Sequence, residues 1–248
     1  MKTAIITGAS SGLGTEYINA TLKLYPEVEK IWLIARRIDR LKILVKKNEK
    51  CIALPLDLND DESLKKYKQT LESKKPEVVL LINNAGFGKL GNAADIPVRD
   101  QTDMVRLNCV ALTAVTMLTL PFMKRGATII QVASIAAFSP TPRMTVYSST
   151  KAFILSFSKG LRHELKSRAI NVLACCPGPM ETEFTSVANI DGRSRFFSRL
   201  PRCDLKKVAF NSLIKAKKGR AVYTNRLIYK IYRVITKLLP SNITMKRL

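Results

Sequence analysis

Strand-like and helix-like runs alternate along this chain so regularly that few folds can hold it. Lys2–Gly8 (KTAIITG) is a short apolar, β-branched run that stops at glycine, and a helix-like segment follows to about Leu24. Lys30–Ala35 (KIWLIA), Cys51–Leu56 and Val78–Ile82 repeat the strand pattern, with helix-like Arg40–Lys47 and the charged amphipathic Asp60–Leu71 between them. Val98–Leu120 reads as one long helix, 127–133 as a fifth strand, 147–168 as a helix and Ala169–Cys176 as a sixth strand. Asp204–Lys218 is helix-like, Arg220–Thr224 is the last strand and Asn225–Leu239 the last helix. Such alternation implies βαβ units, because parallel neighbours need a crossover between them. The expected fold is α/β: a doubly wound, mostly parallel seven-stranded sheet with helices on both faces. At 248 residues the chain suits a single domain, 1–248, with a full-sized core. In open sheets of this kind ligands gather at the carboxyl ends of the strands.

Motifs sit at those ends. The first strand runs into Gly8-Ala9-Ser10-Ser11-Gly12-Leu13-Gly14. Glycines at a strand-to-helix turn let the backbone approach a pyrophosphate, and the helix N-terminus adds N–H groups and the positive end of its dipole. The spacing is G-x-x-x-G-x-G rather than G-x-G-x-x-G. Arg36-Arg37 follow the second strand, where a dinucleotide fold reads the adenosine ribose. An acid there would bind the 2′-hydroxyl of NAD, whereas arginine accommodates the 2′-phosphate of NADP with its fixed fork of donors. Two solvated arginines in a basic chain are the plainer alternative. No acid stands at that strand end to compete, which favours NADP. Asp57-Leu58 follow the third strand and Asn83-Asn84-Ala85-Gly86 the fourth. Gly8–Gly12 also fits G-x-S-x-G, the nucleophile elbow of hydrolases. That chemistry needs a histidine base, and the chain's single one, His163, falls inside a helix. The elbow also normally follows several strands, so the hydrolase reading is set aside.

Ser134 ends the fifth strand, and Pro140 and Pro142 forbid regular structure after it. Tyr147–Lys159 then runs as a helix without Gly or Pro, which sets Tyr147 and Lys151 four apart on one face. A free phenol titrates near ~10, and an ammonium beside it lowers that value. A tyrosine so tuned can give or take a proton at a carbonyl or alcohol oxygen, and the Ser134 hydroxyl could bond the same oxygen. Surface Tyr–Lys pairs are common on helices, so this spacing alone decides little. Asn108 lies inside the long helix, a poor place for a side chain that competes for backbone groups. It reads either as a tolerated exposed residue or as a polar group at a kink facing the site. Pro177-Gly178-Pro179 breaks the sixth strand, and Thr182 follows.

The charge is unusual. Lys plus Arg number 42 against 19 Asp plus Glu, a net +23, and residues 193–248 hold 16 of those cations with one acid, Asp204. Such a field attracts phosphorylated cofactors, nucleic acid or an anionic membrane surface. No nucleic-acid motif or interleaved aromatic platform accompanies it, so no nucleic-acid partner is expected. No run of eighteen apolar residues occurs, so no spanning helix is expected. The chain opens directly on a strand-like segment, so no signal peptide is expected. Five cysteines without C-x-x-C read as reduced thiols of a cytoplasmic protein.

Assembled, these residues resemble the short-chain dehydrogenase/reductase family over about residues 3–185. The resemblance is carried by Thr7-Gly8-x-x-x-Gly12-x-Gly14, Asp57-Leu58, Asn83-Asn84-Ala85-Gly86, Asn108, Ser134, Tyr147-x-x-x-Lys151 and Pro177-Gly178-x-x-x-Thr182. It implies a Rossmann-like fold, a homo-oligomer and a set of roles. Tyr147 would be the acid/base. Lys151 would lower its pKa and bind the nicotinamide ribose, Ser134 would polarise the substrate oxygen, and Asn108 would hold a water linking Lys151 to solvent. Gly8, Ser10, Ser11, Gly12, Leu13 and Gly14 would cradle the pyrophosphate. Asp57 and Leu58 would bracket the adenine, with Asn84, Ala85 and Gly86 supporting the adenosine side. Pro177, Gly178 and Thr182 would flank the nicotinamide, Thr182 at its carboxamide. Hydride transfer needs no metal, and none is implied.

The expected function is therefore NADP(H)-dependent interconversion of a ketone or aldehyde and an alcohol. The alternative is a cofactor-binding sensor or scaffold that uses its basic end for contacts; intact Asn108, Ser134, Tyr147 and Lys151 speak for the enzyme. Residues 183–203, with Phe184, Phe196 and Phe197, read as a substrate cover that suggests apolar bulk in the substrate, or else as a surface loop. The last helix and tail, 225–248, put Leu227, Ile228, Ile231, Ile235, Leu238 and Leu239 on one side, interrupted by Arg226, Lys230, Arg233 and Lys237. A basic amphipathic helix can lie on an anionic membrane. Packing of the apolar side on the sheet or a partner subunit is the preferred expectation, with peripheral membrane contact as the other.

Overall fold

The computed structural model describes residues 1–183 and 200–245. Seven strands form one sheet: β1 (Lys2–Thr7), β2 (Lys30–Ala35), β3 (Cys51–Pro55), β4 (Glu77–Asn83), β5 (Met123–Val132), β6 (Asn171–Cys175) and β7 (Val222–Tyr223). Their order is β3-β2-β1-β4-β5-β6-β7, and every pair is parallel. The chain moves outward from β1 to β3 and then returns to β4 on the other side of β1. That reversal opens a crevice at the carboxyl ends of the central strands.

The helices are α1 (Gly12–Leu24), α2 (Ile38–Lys47), α3 (Asp61–Lys74), α4 (Val98–Val105), α5 (Leu112–Thr119), α6 (Thr145–Glu164), α7 (Leu205–Lys217), α8 (Leu227–Leu238) and the short α9 (Ser241–Met245). Successive β1 residues alternate between the two faces of the sheet. Ala4 and Ile6 join Tyr17, Leu41, Val208 and Leu213 under α1, α2 and α7. Ile5 joins Tyr67, Val115 and Leu161 under α3, α5 and α6. Both faces are covered, so the central strands are apolar throughout, and full burial of each such side chain contributes about 1.5–3 kcal/mol. All five cysteines are free.

Three expectations change. The run from Val98 is not one helix: a π-helical turn, Arg106–Ala111, divides α4 from α5 at Asn108. Val98–Phe122 as a whole is long and apolar enough to cross a membrane by length and composition, which the sequence reading did not allow for. Here it packs Ala111, Leu112 and Val115 into the core. β5 begins at Met123 rather than 127, pairing with Val78 before a register shift that Gly126, at φ 87°, accommodates. Third, the apolar side of α8 does not pack on the sheet. Tyr229 faces inward while Leu227, Ile231, Val234 and Leu238 face outward.

Candidate active site

The carboxyl ends of the strands open on one cleft of about 820 Å³. Every residue singled out from the sequence as a site residue lines it except Gly14 and Asn108. Those two act underneath it.

At the first turn Gly8 adopts φ +63°, and a Cβ there would stand 2.9 Å from both Ala85 Cα and Asn84 Nδ2. Only glycine fits this left-handed, crowded position. The Asn84 side chain donates to the carbonyls of Thr7 (3.1 Å) and Gly8 (3.2 Å), and Thr7 Oγ1 accepts from the backbone N–H groups of Asn84 and Ala85 (3.0 Å each). The turn after β4 therefore braces the glycine-rich turn after β1. Gly14 lets α1 rest on that turn, since a Cβ on it would meet Gly8 O at 2.1 Å. The α1 N-cap, Ser11, makes no side-chain capping bond, which leaves the first-turn N–H groups to a ligand. Thr182 abuts Gly12, within 3.1 Å of where a Cβ would be.

The two arginines after β2 part company. Arg37 donates to Ser10 Oγ (3.2 Å), to Ser11 Oγ (2.9 Å) and to the Glu183 carboxylate (2.8 Å). Arg40, one turn further along α2, donates to the other Glu183 oxygen at 2.5 Å. Hydrogen bonds from Arg40 and Arg37 hold the Glu183 carboxyl below its ordinary pKa. Arg36 points outward, 3.9 Å from Asp57 and 72% exposed in its side chain. Two guanidiniums thus converge on one anion beside the Ser10 and Ser11 hydroxyls, a donor set that suits phosphate as well as carboxylate. Arg40 and Glu183 went unremarked in the sequence; the i,i+3 spacing of Arg37 and Arg40 at the start of α2 was the signal.

At the other end Ser134, Tyr147 and Lys151 meet. Ser134 caps the turn Ile135–Ala137, its Oγ accepting from Ala136 N–H at 3.2 Å, and it also hydrogen-bonds the Tyr147 phenol. Lys151 donates from Nζ to the Val132 carbonyl (2.9 Å) and lies 5.6 Å from the centre of the Tyr147 ring. Both side chains are buried. Burial pushes the Tyr147 phenol up to about 12, with the Ser134 hydrogen bond opposing it. The sequence expectation was a phenol lowered by Lys151; instead desolvation dominates. It also brings Lys151 itself down to about 8, against the pull of the Cys109, Cys176 and Cys175 thiols.

Asn108 is fully buried. Its Oδ1 accepts from Phe87 N–H (3.1 Å), and its Nδ2 donates to Phe87 O (2.9 Å) and Thr150 Oγ1 (3.0 Å). Thr150 in turn donates to the Tyr147 carbonyl at 2.7 Å. Asn108 therefore ties the loop after β4 to the first turns of α6. A Cβ on Gly86 would stand 2.8 Å from Asn108 Oδ1 and 3.5 Å from Lys151 Nζ, which shows how close the two lie.

Beyond Tyr147 the cleft is walled by Phe87, Met144, Met180 and Leu200, and by Ile228, Tyr229 and Tyr232 of α8. Apart from Ile228 these were not singled out from the sequence, where nothing separates cleft apolar residues from core ones. Pro177-Gly178 forms the junction: a Cβ on Gly178 would lie 2.2 Å from Tyr229 Cε2, and the Tyr229 hydroxyl donates to Pro201 O at 2.7 Å. Most of the expected cover, including Phe184, Phe196 and Phe197, lies outside the described residues. His163 is exposed in the last turn of α6 and does not line the cleft, so the hydrolase elbow finds no base there.

A doubly wound sheet with a phosphate-sized cation cluster at one end of its crevice and a buried Ser–Tyr–Lys group at the other defines an oxidoreductase of the dinucleotide-dependent class. Comparison with known proteins agrees. Residues 2–191 match the family of short chain dehydrogenases. The chain is similar to serine 3-dehydrogenase of Rhizobium radiobacter, 35% identical over 189 residues that cover 75% of this chain and 74% of that protein. It is likewise similar to an NADP-dependent 3-hydroxy acid dehydrogenase of Schizosaccharomyces pombe, 33% identical over 197 residues that cover 75% and 74%. Among solved structures, a short-chain dehydrogenase from Sphingobium yanoikuyae in complex with NADPH superposes with a TM-score of 0.80 at 25% identity, covering 97% of each chain. This chain belongs to the short chain dehydrogenase family.

Proposed function

We propose that this protein is an NADPH-dependent reductase of a ketone or aldehyde carrying apolar bulk. The observation that carries the reading is the buried group of Ser134, Tyr147 and Lys151 facing the same cleft as the Arg37–Arg40 anion site. The relatives whose names include NADP or NADPH support the choice of cofactor. The glycine-rich turn and the α1 N-terminus would hold the pyrophosphate. Arg37, Arg40, Ser10 and Ser11 would hold the 2′-phosphate, with Glu183 giving up its place. Asp57, Leu58, Asn84, Ala85 and Gly86 would flank the adenosine, and Lys151, Pro177, Gly178 and Thr182 the nicotinamide side. Bound there, NADPH supplies the hydride for the carbonyl carbon.

The residues supply the rest. Ser134 donates a hydrogen bond to the substrate oxygen and polarises the carbonyl. Tyr147 gives that oxygen a proton as negative charge develops on it. With its pKa at about 12 the phenol is protonated at neutral pH, so the acid form needed for reduction is already in place. An alkoxide is far more basic than a phenolate, so the transfer runs downhill. Oxidation would need the phenolate, which burial disfavours, so the oxidative rate should rise with pH. The Lys151 ammonium stabilises the phenolate left behind, and Asn108 holds α6 in position through Thr150. In Tyr147→Phe, single-turnover hydride transfer should fall by about 10²–10⁴-fold, while NADPH affinity stays near that of the unaltered protein. Near-normal turnover in that variant would remove Tyr147 from the mechanism.

A further inference from the structure

The last long helix, α8, is amphipathic the wrong way round for a soluble domain. Its inner face carries Tyr229, Tyr232 and Thr236, whereas Leu227, Ile231, Val234 and Leu238 stand 71%, 50%, 55% and 76% exposed. At 3.6 residues per turn these outer residues form one ridge, an arc of roughly 120° once Ile228 and Ile235 are included. Cations flank it: Lys230 and Lys237 on the helix and Lys159 on α6, beside Arg233. Crowding by Lys237 and Arg233 adds to burial in lowering the Lys159 pKa. No acid occurs anywhere from 205 to 248. Among the described residues none of these cations has an acidic partner.

We propose that this face docks on an anionic lipid bilayer and that the substrate is a carbonyl compound dissolved in that bilayer. An apolar ridge edged by uncompensated cations matches acyl chains below anionic headgroups. A second copy of the chain would cover the ridge but would set like charges against each other. The substrate half rests on the reductase reading above. It is carried by continuity: Ile228 belongs to the exposed ridge and also lines the cleft, and Tyr229 and Tyr232 wall the cleft from the inner side of the same helix. The substrate end of the cleft therefore opens where the membrane surface would lie.

The test uses the full chain and sedimenting vesicles of phosphatidylcholine, with or without phosphatidylglycerol. The protein should pellet with the anionic vesicles at low salt, stay in the supernatant with the neutral ones, and be released by high salt. The double variant Ile231→Glu/Leu238→Glu, on exposed positions outside the cleft, should bind the anionic vesicles at least about tenfold more weakly. It should still reduce a short water-soluble ketone at the unaltered rate. A long-chain ketone carried in anionic vesicles should be reduced several-fold faster than in neutral ones by the unaltered protein alone. Failure to pellet at low salt overturns the proposal, as does a variant that pellets normally. So does a dimer that the variant abolishes in a protein that never binds vesicles. Pelleting with equal rates in both vesicle types overturns the delivery of substrate. Pelleting without reduction of any ketone sinks the reductase reading and leaves the docking intact.

Discussion

Lys151 carries its ammonium into a position 5% exposed, where desolvation lowers its pKa from 10.5 to about 8. The unfolded chain holds that proton more tightly than the folded one. Stability from this group therefore rises as pH climbs from about 8 to 10.5, and below about 8 the full cost of burial is present. Lys151→Met should be inactive yet more stable at neutral pH, by on the order of 3 kcal/mol, with the difference closing towards pH 10.5. Thermal melts of both proteins across that range check it, and a variant that melts lower at neutral pH contradicts it. The same titration should make kcat/KM for reduction fall as pH rises through about 8, where Lys151 loses its charge. Arg37 offers a second test. Its bonds to Ser10 and Ser11 place it at the glycine-rich turn, while Arg36 faces solvent. A charge-assisted hydrogen bond contributes roughly 1.5–3 kcal/mol, so Arg37→Ala should cut the preference for NADPH over NADH by about tenfold or more. Arg36→Ala should change it far less. Dissociation constants for both cofactors decide, and equal losses in the two variants would count against the assignment.

Among the elements, α8 is seated through its aromatic residues, Tyr229 over Gly178 and Tyr232 against Phe138. Tyr229 lies over Gly178 so closely that any Cβ there would displace the ring, and Tyr229 is the buried residue of its helix. Gly178→Ala should destabilise the fold by about 1–3 kcal/mol and raise KM for the ketone, because Ile228 and Tyr232 move with the ring. An unchanged melting temperature would show that α8 does not rest on Gly178. The interrupted helix shows why some elements stayed hidden in the sequence. Arg106–Ala111 contains neither Gly nor Pro, and the residues around it continue a helical pattern. Its π-turn accompanies the bonds from Asn108 to Phe87 and Thr150, partners 21 and 42 residues away. Asn108 hinted at a kink only as a poor helix former, and nothing local named its partners.

Over the whole molecule the charge is divided as the surface is. The arginines at the start of α2, Arg37 and Arg40, answer an acid, Glu183, whereas the cations beside α8 meet none among the described residues. The strand–helix alternation was legible because parallel strands covered on both faces must be continuous apolar runs. The ligand turns were legible because φ > 0 and close approach demand glycine at Gly8. The Tyr147–Lys151 pair was legible because helical spacing is local. Tertiary structure alone decided the sign of the Tyr147 shift, since desolvation depends on what the fold packs around the phenol. It alone separated Arg37, bonded to Ser10, Ser11 and Glu183, from its neighbour Arg36, which lies by Asp57. It also turned the apolar side of α8 outward: periodicity defines a face, but the seats of Tyr229 over Gly178 and of Tyr232 against Phe138 determine which face goes in.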